Sequence, residues 1–299
     1  MVVDPGQVAV VGSANVDVVV TLQRFPQPGE TVIGDGLEEV GGGKGANQAM
    51  AAARAARTAF IGCIGRDAAG DLLVRGLNRA GVRTDHVMRC GEPTGRAFIQ
   101  VTPDGENSIV VMALANGSLS ADTAVAALEE LTPAVVLCQL EIPLGTVQAA
   151  ARWTQEHGAA FVLNPSPLRP LARSLLERCD PLIVNAAEAD AVLRSVGGSV
   201  GGSVDGVQED IGALAAAVAE LAQSVVVTAG DSGAFVGTGA DGIVHIPGKP
   251  VTAVDTTGAG DEFAGQVASG LARGLDLRRS AELANEASAQ LVQRPRRDR

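Results

Sequence analysis

The segment Asp255-Thr256-Thr257-Gly258-Ala259-Gly260-Asp261 runs directly into an apolar, alanine-rich stretch at 263–272. Small residues allow a tight turn that opens a helix. The backbone N–H groups of a first helical turn, together with the helix dipole, make an anion site. Asp261 would then stand beside a bound anion. A carboxylate is a poor ligand for phosphate, so its chemistry there is to accept a proton from an attacking hydroxyl. The same spacing also fits a plain helix start with adjacent acids.

Two further segments carry polar groups at the mouth of a turn. Gly41-Gly42-Gly43-Lys44-Gly45-Ala46-Asn47 opens a second helix. It is not a Walker A loop, because Gly45 follows Lys44 where Ser or Thr should stand. A glycine run lets a small ligand approach the backbone, and Lys44 and Asn47 can donate to ligand oxygens. An ordinary glycine loop reads the same way. Gly12-Ser13-Ala14-Asn15-Val16-Asp17 follows the first apolar run. In an extended chain Asn15 and Asp17 share one face. An amide beside a carboxylate offers donor and acceptor to a pair of sugar hydroxyls. A capped turn is the alternative.

The elements that must position these groups are legible as short apolar runs at 8–11, 59–64, 134–139, 160–163, 182–184 and 225–228. Stretches of helical length at 46–56, 122–130, 146–156 and 211–221 lie between several of them. Continuous apolar strands alternating with helices predict a mostly parallel sheet covered on both faces. Ligands in such sheets bind at the carboxyl ends of the strands. Two regions, 17–40 and 95–112, instead alternate polar and apolar residues, with turn signals at 26–29 and 103–105. They predict half-exposed antiparallel strands forming a small β lid over one edge of the main body. The glycine-serine run 197–206 reads as a surface loop rather than a domain boundary.

Composition narrows the partners. The formal net charge of −11 repels nucleic acid and anionic membrane surfaces. With one Trp, six Phe and no Tyr, a wide aromatic platform for stacked bases is not expected. Cys63, Cys90, Cys138 and Cys179 lack C-x-x-C spacing, so neither zinc nor a disulfide framework is suggested. Cys63 and Cys138 read as buried small hydrophobes. No signal peptide is visible, and no apolar run reaches the roughly 18 residues that span a bilayer. A cytoplasmic location is the resulting expectation.

Taken together and in this order, the three segments resemble the ribokinase family of phosphofructokinase-B-type sugar kinases, over about 8–293. GGGKGAN and DTTGAGD carry the resemblance. The Asn15–Asp17 pair, PGET at 28–31 and GGKGANQA at 42–49 look like its ribokinase branch. The resemblance implies an α/β, ribokinase-like three-layer fold, with one kinase domain over 1–299 and a lid at 17–40 and 95–112. It implies transfer of phosphate from ATP to the terminal hydroxyl of a pentose, D-ribose giving D-ribose 5-phosphate. Other sugars or nucleosides are the runners-up.

By the same resemblance, Asn15, Asp17, Gly43, Lys44, Asn47 and Glu141 would bind the sugar. Gly258, Ala259 and Gly260 would form the anion hole, and Asp261 would be the general base. Asn185, Thr228, Gly230, Gly233 and Asn285 would line the nucleotide site. Glu188 would hold Mg²⁺ through water, and Asp255 and Thr257 would give half of a K⁺ site. A homodimer through the lid is implied as well.

Three departures from the family pattern stand out. Glu262 occupies a position usually small or hydroxylated, where it could repel phosphate, raise the pKa of Asp261 or point to solvent. Gln266 replaces a small residue. Arg296 stands where a glycine is expected, which predicts an incomplete K⁺ site and weak activation. These departures leave a non-catalytic binding protein as the alternative from another class. An oxidoreductase built on Gly41–Ala46 ranks last, since no acid follows the glycines by about 20 residues, between 60 and 65, on a second strand.

Overall fold

Val8, Ala9, Val10 and Val11 are all fully buried. That is what a strand covered on both faces requires, and alternate residues feed opposite cores. Val8 and Val10 pack with Phe60, Phe263 and Ala264, whereas Ala9 and Val11 pack with Leu128, Trp153 and Leu176. The computed structural model describes residues 3–198 and 208–295, with side chains omitted at 208–210.

The strands are β1 (Asp4–Val11), β2 (Asn15–Thr21), β3 (Gly36–Gly42), β4 (Arg57–Gly65), β5 (Val87–Cys90), β6 (Gly95–Val101) and β7 (Asn107–Met112). They continue with β8 (Pro133–Cys138), β9 (Ala160–Leu163), β10 (Leu182–Asn185), β11 (Val225–Thr228), β12 (Gly233–Thr238) and β13 (Gly242–Pro247). The helices are α1 (Lys44–Ala53), α2 (Ala68–Arg79), α3 (Ala121–Leu131), α4 (Leu144–His157) and α5 (Arg173–Leu176). They end with α6 (Ala186–Ser195), α7 (Gln208–Ala219), α8 (Ala259–Ala272) and α9 (Leu277–Leu291).

Nine strands form the main sheet in the order β13-β12-β11-β10-β9-β8-β1-β4-β5. It is parallel from β5 to β11, and β12 and β13 add an antiparallel edge. Helices cover both faces, with α1, α2, α8 and α9 on one and α3, α4, α6 and α7 on the other. The expected three-layer arrangement is therefore present. All six apolar runs read as strands are strands. The hairpin β12–β13 and helices α2, α6 and α9 were not anticipated. Helix α2 has a local signal: Asp67 caps it, its carboxylate accepting from the Gly70 N–H at 2.8 Å.

A second, four-stranded sheet has the order β3-β2-β6-β7 and falls within 15–42 and 95–112. One expectation needs correction here. The outer pairs are antiparallel, but the central pair β2–β6 is parallel, from Asn15 opposite Gly95 to Thr21 opposite Val101. Both central strands leave the main body at the same end, so they must run in the same direction. The turn at 103–105 is a tight hairpin, with the Gly105 N–H donating to Thr102 O at 2.9 Å. The turn signal at 26–29 lies inside a longer connection, pinned by an Arg24–Glu30 ion pair. Beyond Gly198, the glycine-serine run lies outside the described residues.

Cys63 and Cys138 are buried as expected, and burial pushes the Cys63 thiol up to about 12.

Candidate active site

Strands β1, β8, β9, β10 and β11 all end on one side of the main sheet, and the chemistry-bearing residues follow those ends. Helices α1 and α8 begin there too. Helix α8 starts at Gly258, whose φ of 79° is left-handed and favours glycine. No side chain caps this helix. The Ala259 N–H donates to the Thr256 carbonyl at 3.1 Å, and no side chain caps the rest of this first turn. Asp261 sits in that first turn, 8 % exposed.

Its carboxylate is held from both sides by neighbours on α1. The Asn47 amide donates to Oδ2 at 3.0 Å, and the Gln48 amide donates to Oδ1 at 3.0 Å. Gln48 is itself fully buried. Its Oε1 accepts from Gln139 Nε2 at 2.6 Å, and its Nε2 also donates to Asn164 Oδ1 at 3.1 Å. Asn164 in turn donates to the Ile183 carbonyl at 3.1 Å. The donors facing Asp261 are amides, which can stabilise an ionised carboxylate and can orient it.

Glu141 organises the neighbouring corner. Its Oε2 accepts from Ser13 Oγ at 2.5 Å, from the Lys44 backbone N–H at 3.1 Å and from Asn15 Nδ2 at 3.4 Å. Asn116 supports Asn15 from behind, donating to its Oδ1 at 2.7 Å. Asn15 and Asp17 do share a face of β2. The glycines at the start of α1 have a use that spacing did not reveal. A Cβ on Gly43 would lie 2.7 Å from Asn15 N, and one on Gly45 would lie 2.5 Å from Ser13 N. Their bareness lets the protein's own β1–β2 turn pack against the helix start, in addition to any ligand.

A cavity of about 170 Å³ is lined by Lys44, Asn164, Asn185, Glu188, Thr228, Gly258, Ala259, Gly260 and Asp261, among others. This brings together Asp261, Gly258, Ala259, Gly260, Lys44, Asn185, Thr228 and Glu188 of the expected site, but not Asn15, Asp17, Gly43, Asn47, Glu141, Asp255 or Thr257. Asn185 and Glu188 form a reciprocal capping box at the start of α6, at 2.8 and 2.9 Å. Among the described residues no group of three or more His, Cys, Asp or Glu could cage a metal ion. Glu188 and Asp261 are the carboxylates on this cavity, too few to cage an ion alone, which suits one that keeps its waters and binds substrate oxygens.

Gly230, Gly233 and Asn285 do not line this cavity. Gly233 and Asn285 meet instead at the end of β13, where Gly233 pairs with Pro247 and Asn285 Nδ2 reaches the Ile246 and Pro247 carbonyls at 3.5 Å. Gly230 lies in the turn before β12.

Asp255 Oδ1 accepts from the Thr257 N–H at 2.9 Å. The Val254 and Asp255 N–H groups donate to the Val292 carbonyl at 2.7 and 3.1 Å, which ties the end of α9 to this loop. Arg296, on which the expectation of an incomplete K⁺ site rests, lies outside the described residues.

Glu262 neither points to solvent nor lies free beside the phosphate region. It is 4 % exposed and pairs with Arg54 at 2.6 Å. Sequence reasoning missed Ser13, Gln48, Asn116, Gln139 and Asn164. Two of them had a local signal, Ser13 inside Gly12–Asp17 and Gln48 inside GGKGANQA.

The family signature of the pfkB family carbohydrate kinases matches residues 6–297. The chain is 36 % identical to a ribokinase of Schizosaccharomyces pombe, over 96 % of this chain and 92 % of that one. The crystal structure of ribokinase from Thermotoga maritima superposes with a TM-score of 0.86 at 31 % identity, covering 96 % of this chain and 93 % of the other. Arabidopsis thaliana ribokinase complexed with ribose and ATP superposes with a TM-score of 0.84 at 30 % identity, covering 98 % and 94 %. The fold is thus the ribokinase-like α/β fold, and the chain belongs to the pfkB family of carbohydrate kinases.

Proposed function

We infer that this protein is an ATP-dependent sugar kinase that phosphorylates the terminal hydroxyl of D-ribose, giving D-ribose 5-phosphate. The observation that carries the reading is the clamped Asp261 carboxylate. It stands at the uncapped start of α8 and is gripped by two amides of α1, the helix that also begins with Lys44. Relatives named ribokinase, and a neighbour complexed with ribose and ATP, support the substrate pair.

On this reading Asp261 takes the proton of the attacking hydroxyl. The N–H groups of Gly258, Ala259, Gly260 and Asp261 offset charge on the transferring phosphoryl. Asn15, Asp17, Gly43, Lys44, Asn47 and Glu141 hold the sugar. Thr228, Asn185, Gly230, Gly233 and Asn285 hold the nucleotide. Glu188 would hold magnesium through water, the ion supplying charge neutralisation at the phosphates. Asp255 and Thr257 would supply oxygens to a monovalent cation.

The four-stranded sheet is proposed as a lid that excludes competing water. A second cavity, of about 640 Å³, lies between Val19, Val40 and Ile99 of that sheet and the loop at 253–257, as a lid over a site requires. Leu37, Phe98 and Val110 leave apolar surface exposed on the other face of the same sheet, which supports a homodimer built through it. A cytoplasmic site of action completes the proposal. Among the described residues no helix is long and apolar enough to cross a membrane.

The test is ADP release measured across ribose, 2-deoxyribose, fructose and nucleosides. The highest kcat/KM is expected with ribose. No release with any sugar overturns the kinase reading. Sedimentation at micromolar concentration tests the dimer.

A further inference from the structure

The two unexpected residues of α8, Glu262 and Gln266, meet. Gln266 Nε2 donates to Glu262 Oε1 at 3.0 Å and to the Ala51 carbonyl, near the end of α1, at 3.0 Å. Glu262 Oε2 accepts the Arg54 guanidinium at 2.6 Å, and Arg54 is the residue that ends α1. Both carboxylate oxygens of a buried acid are therefore engaged, and both partners belong to or touch α1.

The two helices also approach closely where these residues act. A Cβ on Gly265 would lie 2.5 Å from the Gln48 carbonyl and 2.6 Å from Ala51 Cβ. Gln48 is one of the two amides on Asp261. The Arg54–Glu262–Gln266 set thus ties the C-terminal end of α1 to the first two turns of α8, beginning one residue on from the carboxylate of Asp261.

Electrostatics adds a second consequence. Glu262 follows Asp261 on the same helical turn. A buried carboxylate stripped of its cation is costly, and a Glu262 charge left without Arg54 would stand uncompensated one residue from Asp261. The other charged groups facing Asp261 are Lys44 and Glu188, which line its cavity, with Glu141 behind the Lys44 N–H and Asp255 ahead of the helix. Arg294 lines the cavity of about 370 Å³ that also contains Arg54, Glu262 and Gln266. Arg54 is the cation in contact with Glu262.

We propose that Arg54 is a positioning residue for phosphoryl transfer. It neutralises Glu262 and, with Gln266, fixes α1 against α8 so that Asn47 and Gln48 meet Asp261 as a carboxylate. This rests on Asp261 being the base.

The experiment compares R54M, E262Q and R54M/E262Q with D261N. It records kcat and both KM values over a pH series, and thermal unfolding of each variant. R54M is expected to lower kcat about tenfold at neutral pH, and to move the acid limb of kcat up by about one unit. The sugar KM should change far less. The double variant regains most of the lost kcat, because no stranded charge remains. E262Q removes the negative member instead, leaves the half-exposed Arg54 cation uncompensated and moves the acid limb down.

An R54M variant that melts earlier but keeps the wild-type kcat and acid limb overturns the inference, as does a double variant no faster than R54M. Should R54M fail to fold, E262Q decides alone, and a limb unmoved or raised overturns the idea. Retained turnover in D261N instead removes the base reading, whatever the other variants do.

Discussion

On the α1 side of Asp261 the polar groups are side chains, and most are bonded to one another. Ser13, Asn15 and the Lys44 N–H converge on Glu141, while Asn47 and Gln48 converge on Asp261. On the α8 side the polar groups are backbone N–H groups of a helix start that no side chain caps, where Gly258, Ala259 and Gly260 together supply a single methyl group. A corner made of fixed side chains discriminates, because a ligand lacking the matching hydroxyl leaves buried groups unpaired. A helix start binds any phosphate of the right size. On the proposed function, substrate choice would belong to α1 and β2, and transfer to α8.

Asp261 lies where the two regions touch, and replacing it gives the largest effect. Asp261→Asn should lower kcat by about 10²–10⁴-fold with little change in either KM. Single-turnover rates at saturating sugar and ATP measure this, and near-wild-type turnover would merge the two regions into a binding site.

Glu141→Ala tests the side-chain corner alone. Three donors lose their common acceptor, at a cost of about 1–3 kcal/mol for each one left unsatisfied. The sugar KM should rise on the order of tenfold or more, with the ATP KM nearly unchanged. An equal rise in both would show that the division of labour is wrong.

Gly258→Ala probes the backbone side. A left-handed φ costs a side-chain-bearing residue about 1–2 kcal/mol. The ATP KM and the unfolding temperature should respond, and the sugar KM should not.

The smallest expected effect lies at the root of the small sheet. Burial raises the pKa of Asp67, but donors from the Thr94 hydroxyl, the Thr94 N–H and the Gly70 N–H outweigh it, so the carboxyl is held below its ordinary 3.8. A folded value below the unfolded one gives stability that is present above 3.8 and lost as pH falls through the folded value. Asp67→Asn should flatten the acid side of a plot of unfolding temperature against pH. An unchanged slope would place the acid sensitivity elsewhere.

Much of this architecture could be read from particular residues. The small residues of 256–260 announce a helix start with open N–H groups, and the helix is there. Asn15 and Asp17 share a face because a strand alternates. What stayed hidden depends on distance along the chain. Gln48 meets Asn164 and Asp261 across separations of 116 and 213 residues, so its place in GGKGANQA does not reveal these partners. Asn116 and Gln139 are amides in unremarkable surroundings of sequence, and only tertiary packing gives them partners. Glu262 was misjudged for the same reason. A charge following a base reads as repulsive until Arg54, 208 positions earlier by its number, is folded against it. The parallel pairing of β2 with β6 was missed because alternation reports exposure and not direction.

That parallel pair has a mechanical consequence. The two strands leave the body side by side at Asn15 and Gly95, and Asn116 bolts the first of them down. It donates to Asn15 Oδ1 and to the Ala14 carbonyl, and it accepts from the Ala14 N–H. Thr94, clasped by Asp67, bolts down the second. A plate hung from two adjacent bolts swings about one axis and resists torsion. Since Asn15 also donates to Glu141 at 3.4 Å, the pivot of the plate and the wall of the proposed sugar pocket are the same side chain, and a load on either is felt by the other.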